Sequence, residues 1–464
     1  MRRRERAAFL SPRRNKGVAL SGQYRLSLED SFRNTLLVAP SGGGKTTRFV
    51  IPSILLARDC SLVITDPSGE VFRHTSGHLA GQGYKVEVIR PTDPDESARF
   101  NPVLRFRDSH GLRRLATILA KHSGNERTDV FWTTMAGNLL FICLTALAGV
   151  GNDRCLTLGN VRHMVNCLGT ANRDMHAFVA RHLEDESLFA EYRATMAQDE
   201  RLLANVLSSA RAAVDMWSDP AVVRLTSAHT LDIAQIRQRK TAIFVIVPEH
   251  RIREFGALLG LIYSALFDYC LEHPAGLPVF YYLDEFGNLG GPIANFGAVA
   301  TTLRKRSCSL NLILQSTAQL TSLYGPNEAK TILSGAISNR LFFAGCDMET
   351  CEQVERWLGA TTAYDAPPDV ALEHGRQVGK PLMHAAEIRT MPSHAAILIS
   401  SRQHPVRLHI PPFYRIPRLN RLGQKKPATL AFDYSQEQVT SFGSLIGGEV
   451  SPSSSSSEAL VEGE

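Results

Sequence analysis

The 464-residue sequence lacks several features that would each have named a class of protein. Its longest apolar runs, Asn138 to Val150 and Leu258 to Leu271, stop short of the roughly 20 residues a spanning helix needs. The basic N-terminus is not followed by the apolar segment of a secretory leader. A chain that does not cross a membrane is therefore expected. None of the eight cysteines, at 60, 143, 155, 167, 270, 308, 346 and 351, stands in a C-x-x-C pair, and none of the fifteen histidines in an H-E-x-x-H. That argues against a zinc centre and for reduced, mostly buried thiols of a cytosolic protein. No helix-turn-helix or zinc-finger spacing occurs, and no internal repeat. Any DNA contact should then run through phosphates, with an affinity that falls steeply with salt.

Basic residues are absent from Pro427 to Glu464, where six acids stand, so the net charge of +6 leaves +12 on the rest of the chain. A basic body with an acidic end suits a polyanionic partner, and equally a merely soluble basic protein. Residues 1–16 hold seven basic side chains against one acid. This segment is expected to be a mobile arm that touches anionic lipid or DNA, or a plain disordered end.

What is present is a strand–turn–helix–strand rhythm. Thr35–Ala39, Ser61–Thr65 and Lys85–Ile89 are short apolar runs separated by helical stretches. More follow at Thr241–Val247, Val279–Leu283, Ser309–Leu314, Arg340–Ala344 and Ala395–Ser400. Such runs suit a parallel sheet covered on both faces, hence an α/β fold. Between them, Phe131–Leu147 is expected to be a buried helix, and 153–222 has no strand-like run. Leu203, Val206, Leu207, Ala210, Val214 and Trp217 recur at helical spacing, as a core stripe does. The expected division is a basic arm at 1–30, a nucleotide-binding domain at 31–152 and 223–425, an inserted all-α domain at 153–222, and a disordered acidic, Ser-rich tail at 426–464.

Ala39-Pro40-Ser41-Gly42-Gly43-Gly44-Lys45-Thr46 matches the phosphate-binding loop, with Ala at the first Gly position. Small residues let successive backbone N–H groups face phosphate oxygens, and the helix that follows adds its positive end. In this pattern Lys45 bridges the β- and γ-phosphates of ATP, Thr46 ligates Mg2+ and Thr47 reaches the α-phosphate. The bland alternative is a Gly-rich turn that happens to hold a lysine. The loop's position between a strand and a helix favours the phosphate site.

Val279–Leu283 ends in Asp284-Glu285. Asp284 is placed for the Mg2+ shell and Glu285 for a general base on the attacking water. Gln315, at the end of another strand, suits a γ-phosphate sensor. Arg304, or less readily Arg306, suits an arginine finger delivered to a neighbouring subunit. A solvated basic face or a DNA contact explains the Arg304-Lys305-Arg306 run equally well.

In order, Ala39 to Thr46, Thr65-Asp66-Pro67-Ser68-Gly69-Glu70, Arg99-Phe100-Asn101-Pro102, Leu283-Asp284-Glu285-Phe286 and Leu314-Gln315-Ser316 resemble the VirD4/TraG family of type IV secretion coupling proteins, related to FtsK- and HerA-type DNA pumps. The resemblance spans roughly 30–410. It implies a RecA-like P-loop NTPase with an inserted all-α domain, working as a cytoplasmic homo-hexamer that hydrolyses ATP. It implies as partners DNA with a relaxase, or effector proteins, and the components of a secretion channel. Asp66 and Glu70 fall in the family's D-P-K-G-E motif, where Ser68 replaces the lysine. Most members begin with transmembrane helices. Without them, a separate membrane anchor, a peripheral position at the inner face of the cell membrane, or a soluble role is implied. Three functions follow: a translocating ATPase, an ATP-gated recruitment platform with little turnover, and a soluble HerA-like DNA pump.

Overall fold

A computed structural model describes residues 3–12, 14–123, 130–168, 170, 173–365, 376–435 and 437–446. Arg2 and Arg13 of the expected arm, and the serine run at 453–457, lie outside the described residues.

The chain forms two compact units, one from the residues up to Phe100 with His229–Tyr434, the other from Asn101–Ala228 with the residues after Tyr434. In the first, the strands are β1 (Thr35–Val38), β2 (Ser61–Thr65), β3 (Lys85–Ile89), β4 (Thr241–Val245), β5 (Val279–Leu283), β6 (Cys308–Leu314), β7 (Asn339–Phe343), β8 (Ala360–Asp365), β9 (Arg376–Pro381), β10 (Ala395–Ser400) and β11 (Gln403–His409). Among the described residues nine of them make one sheet in the order β11-β10-β7-β1-β6-β5-β2-β4-β3, and β8 and β9 pair as a hairpin. The run from β7 to β3 is parallel, while β10 lies antiparallel to β7 and β11 antiparallel to β10. β1, β2, β4, β5, β6 and β10 are buried along their whole length, as continuous apolar runs require in a sheet covered on both faces. This is the α/β P-loop NTPase architecture read from the sequence.

Asn34 sets the start of β1. Its φ of 58° is left-handed, a conformation asparagine tolerates better than most residues. Its side chain donates to the Ala300 and Ala336 carbonyls (3.2 and 2.9 Å) and accepts the Leu310 N–H (2.9 Å). One buried amide thus ties β1 to β6 and to the chain leading into β7.

Three boundaries differ from those expected. The domain begins well before 31: Leu10, Val18, Leu20 and Leu26 are buried in the sheet's core cluster, and Ala19 bridges Arg25. Among the described residues, the helix Arg3–Phe9 and the exposed Arg14 and Lys16 keep the character of a basic arm. The helical unit begins at Asn101 rather than 153, because helices Ser109–Ser123 and Val130–Ala148 pack with Glu200–Val214. Described residues after 426 pack against each unit: the Ala428 N–H donates to Ser76 Oγ (3.1 Å) in the first unit, while Phe442 is buried beside Phe178 (ring centroids 5.0 Å apart) in the second. Scattered single apolar residues carry this packing, which no periodic pattern announces.

The helix Val130–Ala148 has 19 residues and is long and apolar enough to cross a membrane by length and composition. It begins eight residues before the run counted from Asn138. Within the helical unit, its side chains from Leu139 to Leu144 are buried. The stripe on Glu200–Val214 is buried from Val206 onward, with Leu203 at its half-exposed end. All eight cysteines are free, and seven are buried, with Cys167 intermediate.

Asn34→Ala should lower unfolding stability by about 3 kcal/mol, since it strands buried partners and places alanine at positive φ. Urea unfolding checks this; a loss under about 1 kcal/mol would mean that the bonds are dispensable.

Candidate active site

The C-terminal ends of β1, β6, β5 and β2 lie side by side. Val38 pairs with Leu314, Leu283 with Leu312 and Tyr282 with Ile64, so the four strands finish at nearly one level. In open α/β sheets this edge is where ligands bind. Each strand delivers its candidate residues there: Ala39–Thr47 after β1, Gln315 after β6, Asp284 and Glu285 after β5, and Asp66 after β2.

The loop after β1 is turned by Gly42 and Gly44, at φ of 71° and 81°. A Cβ on Gly44 would also come within 2.7 Å of Arg48 Nε. The Gly43 N–H closes a turn on the Pro40 carbonyl (3.0 Å). Lys45 opens a wide turn, Thr46–Val50, that runs into the helix Ile51–Leu55. The Thr47 hydroxyl donates to the Gly44 carbonyl (3.4 Å), and Thr46 is half-buried beside Lys45.

Lys45 Nζ stands 2.7 Å from Glu285 Oε1, and both side chains are over nine-tenths buried. Gln315 Nε2 donates to both Glu285 oxygens (3.2 and 3.0 Å), and Asn288 Nδ2 to Oε2 (2.9 Å). Glu285 itself has a left-handed φ of 52°, which turns it away from the strand path. The Asp284 carboxylate accepts the Glu285 N–H (3.0 Å). Gln319 Oε1 accepts the Gln315 N–H (2.8 Å) and so holds the tip of β6. Lys45, Glu285 and Gln315 form one hydrogen-bonded cluster with Asp284 beside it. Asn288 and Gln319 escaped sequence reading, because an amide in a turn or first helical turn carries no distinctive pattern.

Burial pushes the Asp284 carboxyl up to about 7; Glu285 and Asp66 add to the rise, and Lys45 opposes it. Asp66 is also raised, mainly by burial, against the opposing pull of the nearby Phe72, Val71 and Gly69 N–H groups. Its Oδ1 is buried with no hydrogen-bond partner. An orphaned buried carboxylate oxygen on Asp66, beside the Asp284 carboxyl, suits the chemistry of a divalent cation.

Arg304 is not part of this cluster. It is exposed at the opposite end of β6, ahead of Cys308, roughly 20 Å from Gln315 along the strand. Arg306 is half-buried there, and its carbonyl accepts Arg237 Nη2 (2.6 Å). Neither arginine serves the nucleotide loop of its own copy.

Residues 6–435 match the family model for Type IV secretory system conjugative DNA transfer. The chain is 26% identical over 447 residues to Protein VirD4 of Rhizobium radiobacter, covering 88% of this chain and 62% of that protein. It is 26% identical over 297 residues to the conjugal transfer protein TraG of Escherichia coli, covering 58% of this chain and 46% of the relative. It thus spans about three-fifths or less of the length of these relatives. Among solved structures, plasmid coupling protein TrwB in complex with a non-hydrolysable ATP analogue superposes with a TM-score of 0.69 at 18% identity, covering 90% of this chain and 92% of that one. TrwB in complex with ADP and Mg2+ gives 0.67 at 18%, covering 86% and 90%. At that identity the likeness establishes the fold.

The proton on Asp284 has a measurable signature. The folded value, about 7, lies above the usual 3.8. The protonated carboxyl therefore contributes stability in full below about pH 4, and that contribution is lost as pH rises through about 7. In metal-free urea unfolding, the stability of wild type minus that of Asp284→Asn should fall from about pH 4 to about pH 7 and then level off. A difference that stays level would show that Asp284 titrates normally.

Proposed function

We propose, for a chain that belongs to the conjugative DNA-transfer family of type IV secretory systems, that the site hydrolyses ATP and couples hydrolysis to the delivery of DNA, as a relaxase–DNA complex, or of protein effectors to a secretion channel. One observation carries this reading: Lys45, Glu285 and Gln315, from three different strand ends, converge in a single hydrogen-bonded cluster.

The Glu285 carboxylate occupies Lys45 as a phosphate oxygen would. Nucleotide phosphates entering the loop of Ala39–Thr47 compete for that ammonium. Once Lys45 turns to the β- and γ-phosphates, Glu285 keeps Gln315 and Asn288 as donors and gains a free lone pair. It can then take the proton of an attacking water as general base. Gln315, touching Glu285, links that water to the γ-phosphate. Mg2+ bound with the nucleotide supplies positive charge to the phosphate oxygens; Thr46 and Asp284 are the residues that would hold it.

Arg304, remote from its own site, suits a finger offered to the next copy in a homo-hexameric ring. The basic body suits a phosphate-lined cargo. The setting is cytoplasmic, at the inner face of the cell membrane. A second reading, the recruitment platform with little turnover, draws on the threefold satisfaction of Glu285: with Lys45, Gln315 and Asn288 all engaged, the carboxylate is a weak base. A soluble HerA-like DNA pump would use the same site without a channel.

Glu285→Gln should keep ATP binding and lower steady-state hydrolysis at least about a hundredfold, with or without DNA, while Lys45→Ala loses binding. Wild-type turnover in Glu285→Gln would remove Glu285 as the base. DNA stimulation in the parent protein distinguishes a motor from a platform. Mixing Lys45→Ala with Arg304→Ala should restore part of the activity in mixed rings, because intact sites then face intact arginines. No recovery despite proven co-assembly would exclude Arg304 as a finger.

A further inference from the structure

Asp66 is fully buried at the end of β2. Its Oδ2 accepts the Phe72 N–H (2.7 Å), in the first turn of the helix Glu70–Gly81. That bond has a structural purpose, since the residue before the helix is Gly69, which has no side chain to cap with. An asparagine would cap equally well and carry no charge. The buried negative charge therefore needs another explanation, and so does Oδ1, which has no hydrogen-bond partner.

The register supplies one. β2 and β5 run parallel with Ile64 opposite Tyr282, which brings Asp66 opposite Asp284 two residues on. The Asp66 N–H continues the ladder on the other side, to the Val245 carbonyl (2.9 Å). Side chains in register on neighbouring parallel strands emerge on one face, roughly 5 Å apart. Two buried carboxylates are thus placed side by side. The nearby cation, Lys45, is engaged by Glu285. Ser68, two residues after Asp66, is exposed and brings no positive charge. Burying two adjacent carboxylates without a cation is costly and drives proton uptake, and a divalent ion shared between them would let both stay ionised.

We infer that Asp66 is a further residue of the Mg2+ shell, holding the nucleotide-bound ion together with Asp284 through its unpartnered oxygen. The inference rests on the proposed nucleotide site. Asp66 would bind the ion directly or through one of its waters, and the helix contact of its second oxygen fixes the carboxylate's orientation.

Mn2+ in place of Mg2+ provides the test. Free Mn2+ is titrated by electron paramagnetic resonance against wild type, Asp66→Asn and Asp284→Asn, each saturated with ADP. Asp66→Asn should retain its unfolding temperature and its ADP affinity in EDTA, while its Mn2+ dissociation constant rises about tenfold or more. An unchanged Mn2+ constant in a folded, ADP-binding Asp66→Asn would reduce Asp66 to a helix cap and overturn the inference. Wild type that binds ADP but no Mn2+ would also overturn it while leaving the nucleotide site standing; wild type that binds neither would bring down both. Should Asp66→Asn not fold, wild type labelled with carboxyl-13C aspartate carries the test: electron–nuclear double resonance of bound Mn2+ should detect two aspartate carboxyl carbons, and a single one overturns the inference.

Discussion

The buried contact between Lys45 and Glu285 joins residues 240 positions apart, and the geometry of the sheet exists around it. β1 and β5 are not neighbours; β6 lies between them. The lysine and the glutamate must therefore meet across two strand spacings, roughly 10 Å, over the end of β6. That is possible only because the three strands are parallel and end at nearly one level, and because Glu285 leaves the strand path in a left-handed turn. Gln315, at the end of the intervening strand, then falls between the two. A one-residue slip of β6 would turn Gln315 to the other face and remove a donor from Glu285.

The same sheet accommodates the long helical excursion. β3 and β4 pair directly, yet 151 residues separate the end of one at Ile89 from the start of the other at Thr241. The chain therefore leaves and re-enters the sheet at adjacent strands far from β1, β6 and β5. Insertion there lengthens a connection without disturbing the register of the strands that carry the site, and the entropic cost of a longer connection grows only slowly.

The parallel strands were legible because each is a short, continuous apolar run, and the nucleotide loop because its small residues have a physical purpose. Other parts were not, for identifiable reasons. Residues 10–26 set Arg13, Arg14, Lys16 and Arg25 among single apolar residues with no period, but Val18, Leu20 and Leu26 fill the core, and the buried Arg25 guanidinium reaches the Leu56 carbonyl. β11 alternates polar and apolar residues at the sheet edge, so no apolar run marks it. The helical unit begins at 101 because Asn101 caps a short helix at Pro102, a signal indistinguishable in sequence from a loop. At the site, Lys45, Asp284, Glu285 and Gln315 were identified by residue type at strand ends. Asn288 acquires its position from the turn that Glu285 makes, and Asp66 its neighbour from strand register. Neither is written in local spacing.

The eight unpaired cysteines, seven of them buried, give the molecule an internal gauge of opening. A thiol reagent meets only Cys167 at partial exposure in the folded chain, and burial raises even that thiol above its usual range. The other seven divide between the units: Cys143 and Cys155 in the helical one, and Cys60, Cys270, Cys308, Cys346 and Cys351 in the unit that holds the sheet. Each becomes reactive only when its own surroundings loosen. The order in which the thiols are modified is therefore a record, inscribed by the native sequence, of which unit breathes first.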